Sequence, residues 1–87
     1  MSAEDNQKHV ECFGRAIAQM RELRKISREQ LAKKSGVKLQ VLTSIEDGTA
    51  DGMSFGLDEI CRLSKGMGIT AQRLMMAYEN FLEDAGL

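Results

Sequence analysis

The 87-residue chain contains no proline and no tryptophan, and only one tyrosine and one histidine. Without proline, nothing in the composition interrupts a continuous series of helices. Long hydrophobic runs are also missing, since no apolar stretch approaches the roughly 20 residues that a membrane-spanning helix requires. The first residues, MSAEDNQKH, are polar and carry acids, so they do not read as a secretory leader. A cytoplasmic chain with no membrane partner is the expectation. Cysteine is limited to Cys12 and Cys61, far apart in sequence. In a reducing compartment both stay thiols, and no disulfide scaffold is expected. Cys61 reads as a small core residue and Cys12 as incidental.

Catalysis needs a positioned acid, base, nucleophile or metal, and little here supplies one. His9 and Cys12 have the i, i+3 spacing that begins a metal site, but two further ligands are not evident. His9 is therefore expected to be a solvent-exposed side chain. The glycine-rich stretch GTADGMSFG, residues 48–56, lacks both GxxxxGKS and GxGxxG and follows no strand, so it reads as a connector. No enzyme activity, cofactor, metal or small-molecule substrate is expected.

What is present is charge of one sign in one place. The net charge is −1, yet residues 21–38 hold Arg21, Arg24, Lys25, Arg28, Lys33, Lys34 and Lys38 against only Glu22 and Glu29. Residues 46–87 are acidic. Phosphate attraction acts over about one Debye length, roughly 8–10 Å, so the local patch outweighs the total. Such a chain binds nucleic acid with a steep salt dependence.

Periodicity predicts an all-α chain of five helices, over about 8–25, 28–35, 38–47, 57–65 and 70–84. Residues 1–7 are expected to be a flexible N-terminus and 8–84 a single domain. In the first helix Val10, Phe13, Ile17, Met20 and Leu23 form the apolar stripe. Ser27 caps the second helix, and Gln30 three residues later completes a capping box. Gly36 ends that helix in a tight turn requiring positive φ. Gly66 and Gly68 break the fourth helix, and Thr70 caps the fifth. Within SREQLAKKSGVKLQVLTSIEDG, Ala32 lets two helices approach, while Leu31, Val37, Leu42 and Ile45 face inward. This spacing is that of a helix-turn-helix. In the last helix Leu74 and Tyr78 face the core, while Met75, Phe81 and Leu82, with part of Tyr78, make a seam for a second copy.

From Phe13 to about Leu74 the chain resembles the Xre/Cro-type repressor family, with its lambda-repressor-like five-helix bundle. The resemblance runs through FGRAIAQMREL, SREQLA, SGV, LTSIEDG and the segment ending in MGI. It implies a homodimeric repressor that reads an inverted repeat in double-stranded DNA through helix 38–47. Carried over, Lys38, Leu39, Gln40, Thr43 and Ser44 face base edges; Gln40 can bond adenine in bidentate fashion. Leu39 is open to two readings, a thymine methyl or a protein surface. Phosphate contacts fall to Arg24, Lys25, Ser27, Arg28, Lys34 and Thr49, with Arg28 aided by the positive end of its helix. Arg21 and Glu46 match a pair that forms an internal salt bridge in relatives. The rival function is an antitoxin or anti-repressor that holds a protein partner.

Overall fold

The computed structural model describes residues 3–50 and 56–87. Within them the chain forms α1 (Ala3–Leu23), α2 (Arg28–Ser35), α3 (Leu39–Glu46), α4 (Leu57–Met67) and α5 (Ala71–Asp84), with no strand. The middle of the expected connector, residues 51–55, lies outside the described residues. All five helices stand where the apolar spacing puts them, and the differences lie at their ends. α1 begins at Ala3 rather than near residue 8, so most of the segment expected to be flexible is helical. The Gln7 side chain donates to the Gly48 carbonyl, which ties this early turn to the end of α3.

α1 stops at Leu23, two residues before the expected end, because Lys25 takes the left-handed conformation at φ 56°. Ile26 N–H then closes on the Arg21 carbonyl at 3.1 Å and Lys25 N–H on Glu22 at 3.0 Å. That pairing is a helix-ending motif in which glycine is the usual residue. Leu23, at the last turn, is exposed rather than part of the stripe. At α4 the expected break at Gly66 does not occur. The helix runs to Met67 and ends on Gly68 at φ 73°. Gly66 is instead a contact position: a Cβ there would stand 3.0 Å from Ser35 Cβ and 3.1 Å from Leu31 Cδ1.

The core is continuous: Val10, Phe13, Ala16, Ile17 and Met20 from α1 meet Leu31, Leu42, Ile45, Leu63, Met67 and Leu74 from the others. α1 is its axis, packed against α3, α4 and α5. This central position reverses the expected roles of the cysteines. Cys12 is buried, its Sγ 3.6 Å from the Phe81 carbonyl, and Cys61 is exposed. Burial pushes the Cys12 thiol above its ordinary pKa. A thiol reagent should therefore label one equivalent quickly in the native chain and the second only on unfolding, read by mass after trypsin digestion. Fast labelling of both would contradict the packing of α1 on α5.

His9 is also half-buried rather than solvent-exposed. Its Nδ1 lies 2.9 Å from the Tyr78 hydroxyl, and Phe13 meets the Tyr78 ring edge-on at 5.7 Å. Tyr78 packs against the core, the inward side expected for it, and Met75 and Phe81, expected at a seam, are also partly buried against the core of their own chain. Met76, which the spacing did not single out, is the most exposed apolar side chain of α5, at 57%.

Candidate nucleic-acid interface

The second and third helices are held in place from both ends. The Ser27 hydroxyl accepts from Gln30 N–H at 3.1 Å while Ser27 N–H donates to Gln30 Oε1 at 2.9 Å, so the capping box is reciprocal. Gly36 closes α2 at φ 76°, its N–H on the Ala32 carbonyl at 3.0 Å. The Ser35 hydroxyl accepts from Val37 N–H at 3.1 Å and carries the chain into α3. Leu31, Val37, Leu42 and Ile45 are buried, and Ala32 packs against them.

With Leu42 and Ile45 inward, the start of α3 is left uncovered. Lys38, Leu39 and Gln40 are exposed; Thr43 and Ser44 are half-buried. Lys38 occupies the N-cap and no side chain caps the first turn. The Ser44 hydroxyl donates to the Val41 carbonyl at 2.8 Å, which leaves it an acceptor role toward any ligand. Thr49, just past α3, is exposed with its hydroxyl 3.4 Å from the Ser44 carbonyl.

Behind α3 stands one buried carboxylate. Glu46 has a side-chain exposure of 0%, and Arg21 grips it bidentately, with Nε and Nη2 at 2.9 Å. Arg21 Nη1 donates to the Ile26 carbonyl at 2.8 Å, so α1, the α1–α2 turn and α3 share one fastening. Arg28 joins it, Nε to Glu46 at 3.1 Å and Nη2 to Asp47 at 3.1 Å. The hydrogen bonds that Arg21 and Arg28 donate to Glu46 push both guanidinium pKa values above the ordinary arginine value. Arg28 was expected to be free for a phosphate at the head of α2. It is instead part of the scaffold, with Nη1 left unengaged among the described residues.

The other expected phosphate contacts separate. Ser27 and Thr49 lie at the ends of α2 and α3. Arg24, Lys25 and Lys34 gather instead around the C-terminal end of α4. The start of α3 meets the opposite end of α4, where Lys38 and Val41 share a hollow with Asp58 and Arg62. One residue went unmarked by spacing. Gly14 of α1 lies directly against the α3 backbone, so that an added Cβ would fall 2.0 Å from the Ile45 carbonyl oxygen. Its signal was an isolated glycine inside a helical pattern, a feature that commonly has a packing reason.

Among the described residues no three His, Cys, Asp or Glu side chains cluster as a metal site. No helix is long and apolar enough to cross a membrane. No curated protein and no solved structure matches the chain significantly. A helix-turn-helix family model matches residues 17–74, which span α2, α3 and α4 with the end of α1 and the start of α5. The chain belongs to the Xre/lambda-repressor-like helix-turn-helix family.

Proposed function

We propose that the chain is a sequence-specific transcriptional regulator, a homodimeric repressor that reads an inverted repeat through α3 in the major groove. The family is one of DNA-binding regulators. The observation that supports the finer reading is the division of α3 into two sides. Leu42 and Ile45 are fully buried, while Lys38, Leu39 and Gln40 stand uncovered at its start. Gln40 presents an amide that fits adenine N6 and N7, and Leu39 an apolar contact for a thymine methyl. Ser27, Thr49 and the spare Nη1 of Arg28 flank this side for phosphates. Dimerisation falls to α5, where Met76 is exposed and Met75, Phe81 and Leu82 are half-buried. One recognition helix covers too few base pairs to discriminate well, and a second copy supplies the rest.

Selection from random duplexes tests this. Recovery of an inverted repeat is expected, and Gln40→Ala should weaken binding to it by about ten- to a hundredfold, the worth of one bidentate base contact. Affinity should fall steeply with salt. The exposed Leu39 favours the protein-binding alternative. If no sequence is enriched and a stoichiometric protein is retained through α3 or α5 instead, the regulator reading is overturned.

A further inference from the structure

The positive charge of residues 21–38 is divided between two places. Arg21 and Arg28 are neutralised by Glu46 and Asp47. Arg24, Lys25 and Lys34 converge, with Lys65 of α4, on an open cleft of about 690 Å³ floored by Ile26 and Met67. That volume lies within the range of small-ligand sites, and no acidic side chain lines the cleft. Arg24 is fixed there. Its Nε donates to the Met67 carbonyl at 3.0 Å, and its Nη2 lies 3.0 Å from where a Cβ on Gly68 would stand. With Nε used on the protein, the two Nη groups form the free end of the fork.

A simpler account is that these cations only complement helix ends. α1, α2 and α4 all finish nearby, and each C-terminus carries about −0.5 of a charge. Three ends supply about −1.5 against four side-chain charges, which leaves about +2.5 without a counterpart. An anion is the group that completes such a cluster.

We propose that this cleft binds a phosphate-bearing ligand. The Arg24 fork holds a phosphate in bidentate fashion, the three ammonium groups supply point charges, and Ile26 and Met67 receive an apolar or planar remainder. The cleft is lined by the last turn of α4, while the hollow beside the start of α3 is lined by Asp58, Glu59 and Arg62 nearer its beginning. No residue of α3 lines the cleft. This inference stands whether or not Gln40 reads adenine. The phosphate has two possible sources, a free organic phosphate or the backbone of a duplex.

The test is titration of the ¹⁵N-labelled full chain with sodium pyrophosphate, with adenosine triphosphate and, separately, with a short mixed-sequence duplex. Saturable amide shifts are expected at Arg24, Lys25, Lys34 and Gly66 to Gly68. Lys34→Ala combined with Lys65→Ala should weaken binding about tenfold or more, while Lys33→Ala, on the same helix outside the cleft, should leave it unchanged. Both replaced lysines are exposed, so the fold is kept and circular dichroism verifies it. Saturation by pyrophosphate or the nucleotide assigns a free ligand; shifts at the cleft with the duplex alone assign the DNA backbone. Shifts that never saturate, or that persist unchanged in the double variant, overturn the proposal.

Discussion

Glu46→Ala is expected to cost about 3–5 kcal/mol, because it leaves the largely buried Arg21 guanidinium without its buried counter-charge and with only the exposed Glu22 at 3.9 Å. A domain of this size holds about 5–10 kcal/mol in total, so the variant should unfold substantially under mild denaturant. The size of the effect comes from asymmetry. A buried ion pair contributes little net stability against a well-packed apolar replacement, but removing one partner exposes the full desolvation penalty of the other. Two controls separate these terms. Asp47→Ala removes the outer arm of the same network, where Asp47 is 49% exposed, and should cost under about 1 kcal/mol. Glu46→Met combined with Arg21→Met should recover part of the loss, short of full recovery because the Ile26 carbonyl loses its donor. Urea denaturation followed by helical dichroism measures all three. A loss below 1 kcal/mol for Glu46→Ala would mean the carboxylate is not the fastening between α1 and α3. DNA binding should fall with stability, since the orientation of α3 depends on that carboxylate.

The sequence made the helices and the turn legible for a physical reason. Capping boxes, a left-handed glycine and a 3.6-residue apolar period are local signals, and each acts within a few residues of where it is written. Ser27, Gln30 and Gly36 did what their spacing implied. What stayed hidden depends on how separate helices meet. A one-sided reading of α1 took the stripe through Val10, Phe13 and Ile17 as its buried face. In the structure α1 is covered by three other helices, and in its middle only Glu11, Arg15 and Gln19 form an exposed line. That is why Cys12 and Ala16 are buried and why His9 finds Tyr78. α4 has the opposite geometry: covered on one side by α2, α5 and α1, it turns Cys61 outward. The candidate site divides in the same way. The exposed start of α3 followed from which residues must point inward. The partners of Arg28 and Arg24 did not, because Asp47 and the Met67 carbonyl come from distant parts of the chain. A charge count along the sequence cannot tell a neutralised arginine from a free one.

Gly14→Ala sets local preference against packing, and the two predict opposite signs. Inside a helix alanine is favoured over glycine by about 0.5–1 kcal/mol, so propensity alone expects a more stable chain. At this position the added methyl would lie 2.0 Å from the Ile45 carbonyl oxygen, 3.0 Å from its carbonyl carbon and 3.2 Å from Glu46 Cα. All three are backbone atoms, so no rotamer change relieves the clash, and α1 and α3 must move apart by more than an ångström. Overpacking of this kind costs about 1–3 kcal/mol where side chains yield, and the upper end or beyond is expected where backbone must yield. Packing therefore outweighs propensity severalfold. A net loss of about 3 kcal/mol lowers the melting temperature by roughly 12–24 °C for a domain of this length. Gln19→Ala, on the exposed line of the same helix, is the matching control and should change it little. The displacement also bears on recognition. The Glu46 carboxylate and the Ile45 carbonyl lie on the side of α3 that α1 touches, so separating the helices tilts the end carrying Gln40. Among molecules still folded at low temperature, affinity for the selected duplex should drop further than for mixed-sequence DNA. A melting temperature equal to or above that of the parent chain would show that α3 is not seated on the α1 backbone, and with that the placement of its outer side would be lost.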